Sequence, residues 1–319
     1  MTNNKGKLKF LSLDGGGIRG ATTAAFLQQL NQFLLNTKNQ TIGDYFDGFV
    51  GTSTGGLIAL CIAGGFPGNN LTELYNKSNA DRIFTKNPII KVYDAKYTAE
   101  KRIVFTEIFD KLGITNTKLS NLKKYCAVTS YNLTKGKASI LSSIVSNNTI
   151  SDISVLDSAD CTSAAPTYFP PVKSLINGEE DYLIDGGVIA NQPSTIAYSL
   201  AEFIDREKCN KKDIKILSVG TSQNPITISG TGHQNEIAWL PSILEIASDT
   251  SIFDINSQAI LGDAFLRINS GTKFTFNGVT VTASPELDDV SQSNIDNLND
   301  LGKLWWLAFE SKIAKFIDL

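Results

Sequence analysis

The chain has 319 residues, 42% of them hydrophobic and 19% charged, which suits a globular protein of one large domain or two small ones with ample length for a core. Its formal net charge of −3 gives no general pull toward nucleic acid or an anionic membrane, so nucleic acid is excluded as an expected partner and any lipid contact must be local and apolar. The four cysteines, Cys61, Cys126, Cys161 and Cys209, stand singly without C-x-x-C spacing, which argues against a zinc site and a disulfide framework.

Residues 1–9 are polar with three lysines and run straight into an apolar stretch, without the cleavage site of an export signal. No stretch approaches the length of a membrane-spanning helix. The expectation is a cytoplasmic protein with at most transient contact to a membrane surface. A strand is predicted over 8–13, followed by Asp14-Gly15-Gly16-Gly17-Ile18-Arg19-Gly20. Apolar residues at Ala25, Phe26, Leu30, Phe33 and Leu34 then predict a helix over 24–35. A second strand over 46–50 meets Gly51-Thr52-Ser53-Thr54-Gly55, which fits the G-x-S-x-G strand–turn–helix elbow that presents a nucleophilic serine. The helix after it, over 57–63, stops at Gly64-Gly65.

Further on, 125–131 and 139–143 read as neighbouring strands, 182–184 leads into Asp185-Gly186-Gly187, and 215–219 reads as a buried strand. Strands alternating with helices argue for a mostly parallel sheet covered on both faces. Ligands in such sheets bind beyond the carboxyl ends of the strands, where all three glycine motifs fall. Asn277-Gly278 predicts a type I′ hairpin between 273–276 and 279–282. A terminal helix over 295–317 places Leu301, Leu304, Trp305, Ala308, Phe309, Ile313 and Phe316 on one side. Core packing is the favoured role for that side; the alternative is a membrane-surface helix with Trp305 and Trp306 at the interface. Without a linker, charge run or repeat, a single domain over 1–319 is expected, its motifs within 8–221 and 222–319 packed on them.

Gly15, Gly17 and Gly20 also satisfy G-x-G-x-x-G, the dinucleotide fingerprint. That reading needs an acid closing the second strand, and a serine elbow stands there instead. The same amides at a helix N-terminus suit an oxyanion, with Arg19 adding positive charge. Ser53 is then the candidate nucleophile and Asp185 the candidate proton acceptor. An ordinary aspartate, with a pKa of about 3.9, is a poor base near neutrality, so the site must desolvate Asp185 or rely on position. No metal-ligand spacing occurs. His233 is the single histidine, and the order Ser53, Asp185, His233 matches the triad of α/β-hydrolases. Against it, only one strand and one helix precede the strand of Ser53, and His233 follows the polar run Ser229-Gly230-Thr231-Gly232. A direct Ser–Asp dyad fits better.

These motifs resemble those of the patatin-like phospholipases: an Asp-Gly-Gly-Gly-x-Arg-Gly loop, the serine elbow and an Asp-Gly-Gly turn. Thr162-Ser163-Ala164-Ala165-Pro166-Thr167-Tyr168-Phe169-Pro170-Pro171, Tyr93-Asp94-Ala95-Lys96-Tyr97, Ser218-Val219-Gly220-Thr221 and Glu286-Leu287-Asp288-Asp289 are similar to stretches at corresponding places. The resemblance implies a three-layer αβα sandwich with a central, mostly parallel sheet. It also implies hydrolysis of phospholipid or other acyl-lipid esters without metal or cofactor. Carried over, Ser53 is the nucleophile, Asp185 the base, and Gly15, Gly16 and Gly17 the oxyanion donors beside Arg19. Gly20, Gly51, Gly55, Gly186 and Gly187 complete the motifs. Plant patatins carry a vacuolar signal peptide and this chain shows none, so the resemblance speaks to catalysis rather than location. A signal-gated membrane-degrading phospholipase and a non-catalytic lipid-binding or storage protein are the alternatives in other classes.

Overall fold

The chain is seen in a computed structural model that describes residues 8–88, 94–204, 214–224, 246 and 249–317; Tyr93, Cys209 and His233 lie outside the described residues. In chain order the elements begin with β1 (Leu8–Leu13), α1 (Gly20–Lys38), α2 (Ile42–Tyr45), β2 (Gly48–Gly51) and α3 (Thr54–Ala63). Next come α4 (Lys77–Ile83), α5 (Lys101–Leu112), β3 (Tyr125–Asn132), β4 (Lys137–Ser142), β5 (Thr149–Ile150) and α6 (Val155–Thr162). The hairpin of β6 (Val172–Ile176) and β7 (Glu179–Asp185) precedes α7 (Gly187–Ala190), α8 (Ser194–Ile204) and β8 (Ile214–Val219). α9 (Ser251–Leu261), β9 (Phe265–Ile268), the hairpin of β10 (Lys273–Phe276) and β11 (Val279–Thr282), and α10 (Gln292–Phe316) complete the described chain.

Period-two alternation in the central strands builds both faces of one sheet. Leu11, Leu13, Phe49, Cys126, Val128, Leu217 and Val219 enter one core, where α1, α3 and α10 pack. Phe10, Val50, Ala127, Ile214 and Ile216 enter the other, against α8 and α9. Helices on both faces of a sheet make the three layers expected. The strand order is β5-β4-β3-β2-β1-β8-β9, with β7 on β3 and β6 on β7. Strands β3, β2, β1, β8 and β9 run parallel to one another. β4 and β7 are antiparallel to β3.

Register decides where the site forms. Leu13 pairs with both Gly51 and Val219, so β1, β2 and β8 finish level and release their loops at one edge. Ser130 pairs with Asp185, which brings the end of antiparallel β7 down to that edge from the opposite direction.

The Asn277-Gly278 hairpin forms as expected, with both turn residues at positive φ, 47° and 79°. Asn177-Gly178 builds the β6–β7 hairpin with the same chemistry, at φ 53° and 85°. α1 starts four residues before the expected 24, because the turn over Gly17–Arg19 runs directly into it. Trp305 is fully buried with its indole N–H donating to Ser270 Oγ at 2.7 Å, and Trp306 packs on Phe26 and Phe33. A membrane-interface role for these two tryptophans is therefore overturned. Cys61, Cys126 and Cys161 are buried free thiols whose ionisation burial opposes. No helix among the described residues is long and apolar enough to cross a membrane.

Candidate active site

Ser53 sits at the junction of β2 and α3 with φ 54° and ψ −122°, a backbone region that side chains other than glycine rarely occupy. Such strain persists only where the surroundings hold it. A Cβ at Gly51 would meet the Gly55 carbonyl oxygen at 2.2 Å, and one at Gly55 would meet the Leu13 carbonyl oxygen at 2.3 Å. The two glycines of the motif thus let the turn fold back on itself and lie against β1. The Ser53 N–H donates to Thr162 Oγ1 at 3.0 Å, and Thr162 in turn donates to the Thr129 carbonyl at 2.7 Å. Beneath the serine, Thr52 Oγ1 reaches Thr129 Oγ1 and the Ala190 carbonyl, both at 2.7 Å. α3 begins right after Ser53, so its positive end faces the serine.

Asp185 is 4% exposed, lines the same cavity as Ser53, and accepts a hydrogen bond from the Gly187 N–H at 2.7 Å. Burial pushes its carboxyl up to about 6, while the Ser53 hydroxyl, the Gly187 N–H and the charge of Lys101 pull the other way. Of the two routes the sequence reading leaves open, desolvation or reliance on position, burial supplies the first. A carboxyl of this kind is ionised at neutral pH yet basic enough to take a proton.

Asp14 anchors the glycine loop from below. Arg267, on β9, binds its carboxylate through both terminal nitrogens, with Nη1 at 2.9 Å from Oδ1, and also donates to Ser218 Oγ at 2.8 Å. Burial raises the Asp14 carboxyl to about 6 against the opposing pull of Arg267, and Asp254 adds to the rise. The Gly15 N–H donates to the Asn191 carbonyl at 3.1 Å and the Gly15 carbonyl accepts from Thr221 Oγ1 at 2.7 Å. The Ile18 N–H is engaged by the Leu287 carbonyl at 2.9 Å and the Arg19 N–H by the Gly16 carbonyl at 3.1 Å. The N–H groups of Gly16 and Gly17 have no acceptor among the described residues. Of the three glycine amides expected from sequence as oxyanion donors, that of Gly15 is engaged by the Asn191 carbonyl. The Arg19 side chain reaches the Pro285 carbonyl at 3.0 Å. Gly17 has φ 58°, and a Cβ there would meet the Leu287 carbonyl oxygen at 2.2 Å, so both conformation and space demand glycine.

Gly16, Gly17, Ser53 and Asp185 line a cavity of about 620 Å³. Much of its remaining wall is apolar, including Leu57, Leu74, Ile83, Phe84, Phe105 and Phe169. That size and lining suit an extended apolar ligand with few polar contacts. Among the described residues no group of three or more His, Cys, Asp or Glu side chains is arranged to hold a metal ion. Sequence reasoning passed over Asn191, Lys101 and Arg267, and met Thr162 only as the first residue of the resembling segment 162–171. Arg267 left a trace as a lone cation in an apolar strand.

Residues 11–198 match the family model for patatin-like phospholipases. The chain is 27% identical to a cGAMP-activated phospholipase of Vibrio cholerae serotype O1, across 94% of this chain and 90% of that protein. A cGAMP-activated phospholipase of Escherichia coli is 30% identical across 71% of this chain and 65% of its own length. Patatin-2-Kuras 3 of Solanum tuberosum is 28% identical across 92% of this chain and 82% of the plant protein.

Proposed function

The chain belongs to the patatin-like phospholipase family, hydrolases of lipid acyl esters, and we propose that it works through a Ser53–Asp185 dyad without a metal ion. The observation that carries this reading is the strained Ser53 sharing a cavity wall with a buried, desolvated Asp185. Ser53 Oγ attacks the ester carbonyl carbon as Asp185 takes its proton, and the Gly16 and Gly17 amides hold the oxyanion. Collapse breaks the bond to the leaving alkoxide, which receives that proton, and leaves the acyl group on Ser53. Water then attacks the acyl-enzyme with Asp185 again accepting a proton, which it returns to Ser53 Oγ as the fatty acid departs. Apolar walls around the acyl chain exclude bulk water and keep the carboxylate basic. Phospholipid is the substrate class that the relatives' names favour.

The test is hydrolysis of phospholipid vesicles and of short-chain reporter esters by the purified protein, with labelling by a fluorophosphonate. Ser53→Ala should lose hydrolysis and labelling together; labelling that persists in that variant overturns the assignment. Two relatives named as cGAMP-activated favour a second reading, in which the same chemistry waits for a cyclic dinucleotide. Assays with and without cGAMP separate the readings: full activity without it rejects gating, and activity only with it supports gating.

A further inference from the structure

Lys101, at the start of α5, is 1% exposed and lines the cavity. Its ammonium donates to the Asp160 carbonyl at 2.7 Å and to Ser163 Oγ at 2.9 Å, and pairs with the Asp160 carboxylate at 2.9 Å. It also lies 5.1 Å from the Phe169 ring centroid. Burying an ammonium in a largely apolar wall is costly, and here two hydrogen bonds and one ion pair offset that cost. All of its polar partners belong to one segment, the end of α6 and the residue just beyond it.

That segment touches both members of the dyad. Thr162 accepts the N–H of Ser53 at 3.0 Å, and the Ala164 carbonyl accepts the N–H of Asp185 at 3.0 Å. Between them, Ser163 is fastened to Lys101 and, through its hydroxyl, to the Ala159 carbonyl at 2.7 Å. Resting on the dyad reading above, we propose that Lys101 is a positioning residue: it clamps Asp160 and Ser163, fixing the segment 160–164 that holds the backbones of Ser53 and Asp185 in register, and keeps a buried positive charge on the cavity wall they share.

The charged surroundings support the second half of the proposal. Lys101 is the cation whose field favours the ionised form of Asp185. On α5 and α6 the other charges nearby are Arg102, at 3.1 Å from Asp160 and 2.6 Å from Asp157, and those two carboxylates. Elsewhere on the cavity wall stand Arg19, bonded to the Pro285 carbonyl, Lys96, paired with Asp288, and Glu286. Lys101→Met keeps the buried stem, removes the charge and leaves Asp160 with Arg102.

The experiment is the pH dependence of kcat and kcat/KM for the parent, Lys101→Met and Ser163→Ala, on one reporter ester, with cGAMP present if the parent requires it. Lys101→Met should lower kcat about tenfold and move the acid limb upward by roughly half to one pH unit, since Asp185 loses a favourable charge. Ser163→Ala, which cuts one strand of the clamp and keeps the charge, should lower kcat several-fold and leave the limb in place. A packing role alone would lower activity without moving the limb. A folded Lys101→Met enzyme with the parent's acid limb overturns the electrostatic part, and an unchanged kcat in Ser163→Ala overturns the clamp. Should Lys101→Met fail to fold, Ser163→Ala alone decides the clamp, and Lys101→Arg, which keeps the charge, must hold the parent's limb. Ser53→Ala run alongside distinguishes the failures: if it remains active, the dyad reading falls and this inference with it.

Discussion

Replacing Asp185 with asparagine separates what carboxylate burial does to the fold from what it does for the chemistry. The Asp185 carboxyl is held at about 6 against an ordinary 3.8. A gap of about two units corresponds to roughly 3 kcal/mol of unfavourable ionisation in the folded state above that pH. Because the folded value is raised, the stability tied to this group is fully present below 3.8 and is lost as pH rises through about 6. The side-chain amide introduced by Asp185→Asn has the same shape as the carboxylate, carries no charge and keeps an oxygen for the Gly187 N–H. After allowing for the weaker hydrogen bonds of a neutral acceptor, the variant should gain about 1–3 kcal/mol at pH 7.5. For 319 residues that is a melting temperature about 2–5 °C above the parent. The advantage should vanish near pH 4, where the folded parent already carries the neutral acid. Asp14, raised in the same way, is common to both proteins and cancels. Hydrolysis should meanwhile fall by about a thousandfold or more, since an amide cannot take the serine proton. Thermal unfolding followed by circular dichroism at pH 4, 5, 6 and 7.5 checks the sign. An asparagine variant no more stable than the parent at pH 7.5, or one whose advantage is the same at pH 4, refutes the burial argument.

Two further outcomes are expected. Arg267→Met should cost about 3 kcal/mol in urea unfolding, because Asp14 loses the partner that offsets its burial. Adding Asp14→Asn should restore part of the loss, and a single-variant cost under about 1 kcal/mol would show that the pair does not anchor the glycine loop. His233→Ala should leave turnover within a few-fold of the parent if Asp185 acts directly. A folded His233→Ala protein as inactive as Ser53→Ala would replace the dyad with a triad.

The parts of this molecule that could be read from sequence are those with local causes. Period-two strands, the helical spacing of Phe26, Leu30 and Leu34, and the Asn277-Gly278 turn each depend on a few neighbouring residues, and each formed. The Asn177-Gly178 hairpin carries the same signal less legibly, because its strands expose Leu175 and Tyr182 and lack a clean apolar face. The hydrogen bonds that shape the glycine loop come from Asn191 and Leu287, which lie about 170 and 270 residues from it. Lys101 is likewise invisible in the sequence. Nothing in 101–112 distinguishes a buried, triply partnered lysine from the surface lysines of any amphipathic helix.

In the proposed dyad, an aspartate can serve as base because of how the sheet delivers it. An imidazole base needs a third group to hold its tautomer and orientation. A carboxylate that touches the serine directly needs neither, but it must be raised from its ordinary range. β7 runs antiparallel to β3 and ends at Asp185 level with Ser130, so the carboxyl arrives from above the strand ends into the same cavity that the acyl chain would fill. One feature therefore does two jobs: the apolar wall that suits a lipid chain is also the wall that desolvates the base. The same geometry implies that the base is tuned by occupancy. An acyl chain displacing water from the cavity should raise the Asp185 carboxyl further, so the acid limb of kcat for long-chain esters should lie above that for short-chain esters. Equal limbs for butyryl and decanoyl esters would mean that the protein alone, without the substrate chain, sets the environment of Asp185.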